Sequence, residues 1–473
     1  MTTRTECLPL MAERGSSGEL VRDAQGPHSQ RDYLADVLAL SLRLPPGRHV
    51  LNFCQDRYRF LVGFGASLVA GKVSLLPSTR TPDVLRRIQD AYPETFCLHD
   101  GGGLGAMCAD ASSADRPAIV LFEFPADPAG DRDVPVAIPQ IPAKQVAAHV
   151  FTSGSTGVPV PHPKLWGSLV ASARAETSAL GLAASGWALV GTVPSQHMYG
   201  FESLILLTLH GGATLWSGHP FYPADIVSAI ETMPRPRMLV TTPAHLRALV
   251  THGAPCPAVD KLLSATAHLP ETLCQQAEAA FRAPLYEIYG STETGQIASR
   301  RSSQTRHWKL LTGIELTQRD GRFWACGGHV LQATPLSDTI RVVDGEHFDL
   351  IGRNSDVINF AGKRGSLAFF NHALLGIPGV EDGCVFVPES PADAGQDGFV
   401  FPDSTRLCAV VVAPKLTAKQ ILRSLRAQVD PVFLPRPLIF VATLPRNATG
   451  KIPREALLEL FAQQQRRVPH GPA

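Results

Sequence analysis

The sequence predicts an α/β protein of two parts: a large N-terminal α/β domain (residues 1–353) with mainly parallel sheets, and a small C-terminal α+β domain (residues 354–473). Two observations predict this division. Apolar strand-like runs alternate with segments of helical spacing through the N-terminal part, which is typical of parallel sheet. After about Arg353 a polar, glycine-punctuated stretch leads into alternating helix and strand over about 120 residues, the size of one small domain.

The elements follow in order along the chain. The first thirty residues are polar and predict a loose, poorly packed arm. His49 begins an apolar run, followed by a helical pattern and a second apolar run, which predicts a βαβ unit. Residues 125–142 are proline-rich and predict an irregular surface connection. Runs ending near Phe151 and Tyr289 each lead into a polar loop, and ligands of α/β proteins bind at such strand ends.

The composition excludes several classes of protein. Of the 473 residues, 44% are hydrophobic and 18% charged, which predicts a large core and no wholesale disorder. The net charge of +1 leaves no global basic field for nucleic acid or an anionic membrane. The longest apolar run is too short to span a bilayer, and the N-terminus lacks the apolar core of a secretory signal. The nine scattered cysteines predict reduced thiols, and we expect a cytoplasmic location.

The segment FTSGSTG, residues 151–157, is the first candidate site and follows an apolar strand. Its hydroxyl groups can donate to phosphate oxygens, and its glycines let backbone N–H groups approach an anion closely. The Walker pattern GxxxxGK[ST] is absent, which disfavours an ordinary P-loop NTPase. Taken alone, the segment is equally typical of a simple Ser/Gly turn.

Three further segments offer charged groups. Glu293 lies beside Thr292 in YEIYGSTETG, just past a strand, where a carboxylate can hold Mg²⁺ bound to substrate phosphates. Asp338 precedes the arginine-containing residues 352–364, and an acid there can accept hydrogen bonds from vicinal hydroxyls while arginines pair with phosphates. Lys451 lies in LPRNATGKIPR, where it can offset charge on a carboxylate attacking a phosphate. Taken alone, Glu293 is more typical of a solvated loop, and the other charged groups are also typical of ordinary surface charge.

All four segments, in this order and at these separations, are found together in one family. From His49 to Leu460 the chain resembles the adenylate-forming superfamily of acyl- and aryl-CoA synthetases, adenylation domains and luciferases. The segment VPSQHMYGFE, which contains His197, is similar to the family's substrate gate. The resemblance implies that Mg-ATP activates a small carboxylic acid, aryl or fatty, to an acyl-adenylate with release of pyrophosphate. A thiol then attacks the acyl carbon.

The resemblance also implies a role for each candidate residue. Lys451 would bridge the carboxylate and the α-phosphate, His197 would lie near the acyl carboxylate, and Glu293 would hold Mg²⁺; these three and Thr152 form the catalytic set. The nucleotide-binding residues would be Thr152, Ser153, Gly154, Ser155, Thr156 and Gly157 at the β- and γ-phosphates, Tyr289 near the adenine, Thr292 at the α-phosphate, Asp338 and Arg353 at the ribose, with Gly290, Ser291, Arg364 and Lys451. The C-terminal domain would be mobile and rotate between the half-reactions.

The sequence departs from the family pattern in several places. The phosphate loop of the family usually continues Pro-Lys-Gly, whereas residues 159–161 are Pro-Val-Pro and a lysine comes only at Lys164. Lys164 is therefore a candidate replacement for the missing contact; otherwise pyrophosphate handling is weaker. Ser355 stands at the hinge position, where the family has Asp or Lys, and Asn359 stands where Lys is common.

Three interpretations of the activity stay open. The acceptor is either CoA or the phosphopantetheine of an acyl carrier protein, because several segments resemble a compact bacterial subgroup of aryl-polyene and pigment clusters. A second interpretation keeps adenylation but closes a β-hydroxy acid to a β-lactone without a thiol. A third, suggested by the lost Pro-Lys-Gly, is a non-catalytic adenylate-binding protein, although the retention of Glu293 and Lys451 argues against it. The sequence predicts neither the acid nor the oligomeric state.

Overall fold

Two large sheets form the N-terminal part of the chain. The computed structural model describes residues 6–14, 18–77, 82–101, 119–125, 137–153, 159–182, 186–253, 255–353, 357–360, 363–388, 407–426, 428–429, 431–447 and 450–467. Within these residues the first sheet has six strands, in the order Pro159–Leu165, Val146–Ser153, Val73–Leu76, His49–Asn52, Thr95–His99 and Val120–Glu123. All neighbours in it are parallel except the first pair. The βαβ unit predicted from His49 is confirmed.

The second sheet has eleven described strands and a parallel centre. Its order is Asp338–Val342, His347–Arg353, Trp308–Leu310, Gly295–Arg300, Leu285–Ser291, Lys261–Ser264, Arg237–Thr241, Ala188–Gly191, Thr214–Trp216, Glu19–Arg22 and Pro27–Ser29. The strands from Leu285–Ser291 to Glu19–Arg22 are parallel, and the others are antiparallel to their neighbours. Both predicted polar loops thus follow parallel strands, one in each sheet.

Helices cover the faces of these sheets. One buried cluster contains Val50 of the first sheet, Met238 and Val240 of the second, and residues of the helical segments that lie with them. Leu239 belongs to a different cluster, as the alternation of side chains along a strand requires. The helices of the N-terminal part are Gln30–Ser41, Arg57–Val69, Pro82–Ala91, Trp166–Ala179, Met198–Gly200 continuing through a π-helical turn (Phe201–Leu206) into Leu207–His210, Pro223–Thr232, Pro243–Thr251 and Glu271–Phe281.

The C-terminal part has its own small core. Its strands Asp382–Phe386, Cys408–Val412 and Leu438–Phe440 form one sheet, and Val357–Phe360 pairs with Lys363–Ser366. Helices Leu367–Leu375 and Ala418–Arg426 pack in a separate apolar cluster, and Arg454–Arg467 follows. The predicted fold class, a large α/β part followed by a small α+β part, is confirmed. The chain forms a three-stranded antiparallel sheet before the C-terminal part begins, and its strands are Glu315–Arg319, Arg322–Gly327 and Val330–Pro335.

The prediction of a loose N-terminal arm is wrong. Leu10 and Met11 are fully buried, and Cys7–Pro9 pairs with Gln140–Pro142 from the proline-rich segment. Glu19–Arg22 extends the second sheet. The polar composition of the arm concealed a few apolar side chains that are sufficient to anchor it.

Neither a membrane helix nor a disulfide occurs in the described part of the chain. No helix there is both long and apolar enough to cross a bilayer. The eight cysteines that the structure describes form no disulfide.

Arg57 joins the two sheets. It begins the helix that follows the first strand of the βαβ unit, and its side chain is 1% exposed. Nη2 donates to the backbone oxygens of Gly191 at 2.9 Å and Val193 at 3.0 Å, and Nη1 donates to that of Gly218. Burial lowers the pKa of Arg57 to about 9. A single cation therefore donates to three backbone carbonyls from the second sheet and the loops beside it, two of them buried.

Arg57→Met is expected to lower the free energy of unfolding by roughly 3 kcal/mol, because it leaves these carbonyls without a donor. Urea denaturation measures the change. Arg43→Met, at an exposed position, serves as the control and is expected to have little effect. Equal stability of the two variants would show that Arg57 does not join the sheets.

Candidate active site

The phosphate-type loop and the Glu293 loop meet at a histidine. Val146–Ser153 and Pro159–Leu165 pair as an antiparallel hairpin, in which Thr152 Oγ1 and His162 Nε2 are 3.1 Å apart. His162 Nε2 is also 3.7 Å from Glu293 Oε1. Burial lowers the pKa of His162, while the charge of Glu293 acts against this shift. Thr152 and Glu293, predicted from separate motifs, are thus brought together by a residue that was not predicted.

Lys164 supports the Glu293 loop from the interior. Its side chain is 8% exposed, and Nζ donates to the backbone oxygen of Glu293 at 3.0 Å. Burial lowers the pKa of Lys164, whereas the charges of Glu202 and Glu293 oppose the shift. Lys164 therefore acts on the site through the loop that carries Glu293.

Two buried carboxylates lie behind this loop. Glu202 Oε1 accepts from Ser172 Oγ at 2.8 Å and from the backbone N–H of Gln296 at 3.4 Å. Glu176 accepts from Ser203 Oγ and from Gln296 Nε2, both at 2.6 Å. Burial raises the pKa of Glu202 to about 7 and that of Glu176 to about 8. The pair therefore carries less than two negative charges at neutral pH.

Ser291 and Thr294 close the Glu293 loop. The N–H of each donates to the hydroxyl of the other at 3.2 Å. A Cβ at Gly290 would lie 2.2 Å from the backbone oxygen of Gly295. Gly295 itself has a φ of 71°, and a Cβ there would lie 2.7 Å from Glu202 Oε1. Only glycine fits either position. The loop thereby presents Glu293, with 39% of its side chain exposed.

Tyr289 and Asp338 are in direct contact. The Tyr289 hydroxyl donates to Asp338 Oδ2 at 2.7 Å, and its ring packs against Trp308 with centroids 5.5 Å apart. Asp338 lies opposite Arg353 in an antiparallel strand pair. Asp338 is therefore in contact with Tyr289 and is paired through its strand with Arg353, the other two residues that were predicted to surround the nucleoside.

His197 and Lys451 come together although they are far apart in sequence. The backbone N–H of Tyr199 donates to His197 Nδ1 at 3.4 Å, where the helix begins. Burial lowers the pKa of His197 to about 4, and the positive charge of Lys451 makes a smaller contribution in the same direction. The imidazole is therefore neutral at pH 7. Since Nδ1 accepts a hydrogen bond, its proton is on Nε2.

The remaining predicted residues are placed only in part. Thr292 is half-buried in the Glu293 loop. Ser153 ends its strand, and Arg364 lies opposite Asn359 in a separate hairpin; only their backbones are described. Gly154, Ser155, Thr156, Gly157 and the hinge residue Ser355 lie outside the described residues. The roles assigned to all of these residues stay predictions.

Comparison with known proteins decides the family. A family model described as AMP-binding enzyme matches residues 28–346, well over half of the chain. The chain belongs to the AMP-binding enzyme family. The predicted membership of the adenylate-forming superfamily is confirmed, and so, at the level of enzyme class, is the expected AMP-forming acid–thiol ligase.

Relatives of this AMP-binding enzyme include aryl-CoA ligases. It is 32% identical over 239 residues to a 4-coumarate–CoA ligase of Rhodobacter capsulatus, across 50% of this chain and 60% of that protein. It is 24% identical over 482 residues to a 3-hydroxybenzoate–CoA/4-hydroxybenzoate–CoA ligase of Thauera aromatica, across 88% of this chain and 87% of that protein. The structure of o-succinylbenzoate CoA synthetase from Bacillus subtilis, in complex with its acyl-adenylate intermediate, has the same fold: the TM-score is 0.74 at 18% identity, over 93% of this chain and 95% of that one.

Sequence reasoning missed three polar residues of this AMP-binding enzyme, namely His162, Glu176 and Glu202. His162 is two positions from Lys164, so both side chains lie on one face of the strand, which was a usable signal. Glu202 interrupts the largely apolar segment Phe201–Leu206, and Glu176 falls at helical spacing from Leu169, so each marks a charge that must be buried with partners. None of these signals indicates which loop the side chains support.

The buried Glu176 predicts a pH-dependent stability. Because its folded pKa of about 8 exceeds the value of 4.5 for an exposed Glu, the folded protein retains the proton longer. The contribution of Glu176 to the free energy of unfolding is present below about pH 4.5 and is lost as the pH rises through about 8. The stability of Glu176→Gln relative to the native protein is therefore expected to rise between about pH 4.5 and pH 8, as measured by urea denaturation.

Glu231→Gln, on the exposed face of another helix, is the matched control and is expected to show no such trend. If the stability difference between Glu176→Gln and the native protein stayed constant with pH, the raised pKa of Glu176 would be contradicted.

Proposed function

We propose that the chain activates an aryl carboxylic acid with ATP to an acyl-adenylate, releases pyrophosphate and transfers the acyl group to the thiol of CoA. The observation that carries the proposal is the meeting of the Thr152 hairpin and the Glu293 loop at His162. The Glu293 loop touches the same helical segment that His197 begins, since Gln296 donates to Glu202. The names of the relatives, which act on 4-coumarate and hydroxybenzoates, favour aryl over fatty acids.

The charges of the site suit the first half-reaction. A carboxylate and a triphosphate repel each other, so their approach needs a cation and oriented donors. In the proposed reaction, Lys451 lies between the attacking carboxylate and the α-phosphate. His197, neutral at pH 7, orients the carboxylate through Nε2–H without repelling Lys451. Thr152 and Thr292 donate hydroxyl hydrogen bonds to phosphate oxygens.

Glu293 fits a magnesium ion that arrives with the nucleotide. In the described part of the chain, no group of three or more His, Cys, Asp or Glu side chains is placed to hold a metal. A single half-exposed carboxylate beside the Thr152 hydroxyl suits Mg²⁺, which takes one or two carboxylates and completes its shell with phosphates and water. When bound, the ion neutralises phosphate charge. Lys164 holds the backbone of Glu293 so that its carboxylate faces the phosphates.

Tyr289, Asp338 and Arg353 are proposed to bind the nucleoside. The Tyr289 ring offers a face for the adenine, and its hydroxyl orients Asp338, which accepts from the ribose hydroxyls. Arg353 lies opposite Asp338, at the end of the N-terminal domain as we propose it. Residues 354–473 then form the lid that carries Lys451 in and rotates away for thiol attack.

The reaction products distinguish the two possible acceptors and the alternative activities. Formation of an acyl thioester with CoA supports the proposal. Formation of a thioester only with a phosphopantetheinylated carrier protein would show that the enzyme loads a carrier protein. AMP and a lactone formed from a β-hydroxy acid without a thiol would identify a β-lactone-forming enzyme. ATP binding without acid-dependent pyrophosphate release would identify a non-catalytic adenylate-binding protein. A cytoplasmic location stays a prediction.

Acid-dependent ATP–pyrophosphate exchange over a panel of aryl and fatty acids tests the proposal. We expect exchange with hydroxylated aryl acids and, in Lys451→Ala, a loss of roughly 100-fold, because an oriented charge in a dehydrated site contributes several kcal/mol to the transition state. Lys419→Ala, at an exposed position of the C-terminal helix Ala418–Arg426, is the control with unchanged exchange. Exchange that survives in Lys451→Ala would contradict the assigned role.

A further inference from the structure

Three charged side chains connect the C-terminal part to the N-terminal part. Arg446 donates from Nε to Asp382 Oδ2 at 2.8 Å and from Nη2 to Oδ1 at 2.6 Å, so the pair is bidentate. Arg247 Nη1 lies 3.4 Å from the same Oδ1. Arg247 belongs to the N-terminal helix Pro243–Thr251, whereas Asp382 begins a C-terminal strand. We call these residues the Arg247–Asp382–Arg446 cluster.

The cluster acts on the Lys451 loop through Arg446. Arg446 Nη1 donates to the backbone oxygen of Gly450, next to Lys451. The N–H of Asn447 donates to the oxygen of Lys451 at 2.8 Å, and the N–H of Lys451 donates to Asn447 Oδ1 at 2.9 Å. The loop is therefore closed on itself and attached to the guanidinium that also holds Asp382.

The same N-terminal helix receives the loop. A Cβ at Gly450 would lie 3.5 Å from the Cβ of Ala244 and 3.6 Å from Thr242 Oγ1, at the start of the helix that carries Arg247. A second contact between the two parts pairs His372 Nδ1 with His268 Nε2 at 2.7 Å. The C-terminal part is thus docked where Lys451 approaches His197.

The charges of the cluster allow Arg247 to be replaced without breaking the Asp382–Arg446 ion pair. Two guanidinium groups share one carboxylate, and the charge of Glu381 also acts on Arg247. Removing Arg247 leaves Asp382 paired with Arg446, so the C-terminal part keeps its own bidentate pair. Removing Asp382 would leave both arginines without this partner. A substitution at Arg247 therefore weakens the connection between the parts without disrupting the Lys451 loop.

We propose that Arg247 is a positioning residue that holds the C-terminal part, with Lys451 beside His197, for acyl-adenylate formation. The proposal rests on the proposed function. Rotation of residues 354–473 for thiol attack breaks the Arg247–Asp382 contact and leaves Asp382–Arg446 intact. Arg247 thus stabilises one of the two arrangements and affects one half-reaction.

The test measures the two half-reactions separately in Arg247→Ala. Acid-dependent ATP–pyrophosphate exchange reports adenylation, and thioester formation from CoA and the synthetic acyl-adenylate of an activated acid reports the second step. We expect exchange to fall about 10-fold, because a partly buried ion pair is lost while the histidine contact remains, and thioester formation to be unchanged or faster. Arg247→Lys is expected to recover part of the exchange.

Arg235→Ala is the matched control, because Arg235 pairs with Asp260 inside the N-terminal part. It is expected to leave both half-reactions unchanged. Equal losses in both half-reactions of Arg247→Ala, or no loss in either, would overturn the positioning role. Absence of exchange in the native protein with every acid would instead overturn the proposed function. Exchange in the native protein therefore distinguishes failure of the proposed function from failure of the positioning role of Arg247.

Discussion

The site depends on the burial of Lys164 between the two loops. Lys164 is 8% exposed, and the burial of a charged side chain is tolerated only with close partners. The backbone oxygen of Glu293 accepts from it at 3.0 Å, and the charges of Glu202 and Glu293 offset part of the desolvation. The hairpin that carries Thr152 and the loop that carries Glu293 are therefore fixed relative to each other by one charge.

The two sheets give this interaction its geometry. Lys164 comes from the antiparallel strand at the edge of the first sheet, and Glu293 follows a parallel strand of the second. Glu202 lies in the π-helical turn after His197, and π-helical turns are frequent at functional sites. The proposed active site thus lies at a junction between the sheets, so displacement of either sheet would separate Thr152 from Glu293.

Local sequence predicted the loops but not what holds them. The strand-to-loop transitions at Thr152 and Glu293 are local patterns, and the order of the motifs predicted the family. By contrast, His162, Lys164 and Glu176 reach their partners across the sheet junction, and alternation along a strand does not say which face meets which loop. The arm containing Leu10 was misjudged for the same reason, since its anchoring partners are remote in sequence.

The most direct test of this account is ATP–pyrophosphate exchange in Lys164→Met, measured over a range of Mg²⁺ concentrations. Lys261→Met is the control, because Lys261 is another buried lysine whose Nζ donates to a backbone oxygen, that of Leu180, away from the Glu293 loop. Because Lys164 fixes the Glu293 loop, we expect a roughly 100-fold loss of exchange and a raised Mg²⁺ requirement in Lys164→Met alone. Native exchange with a native Mg²⁺ requirement in a folded Lys164→Met protein would contradict it.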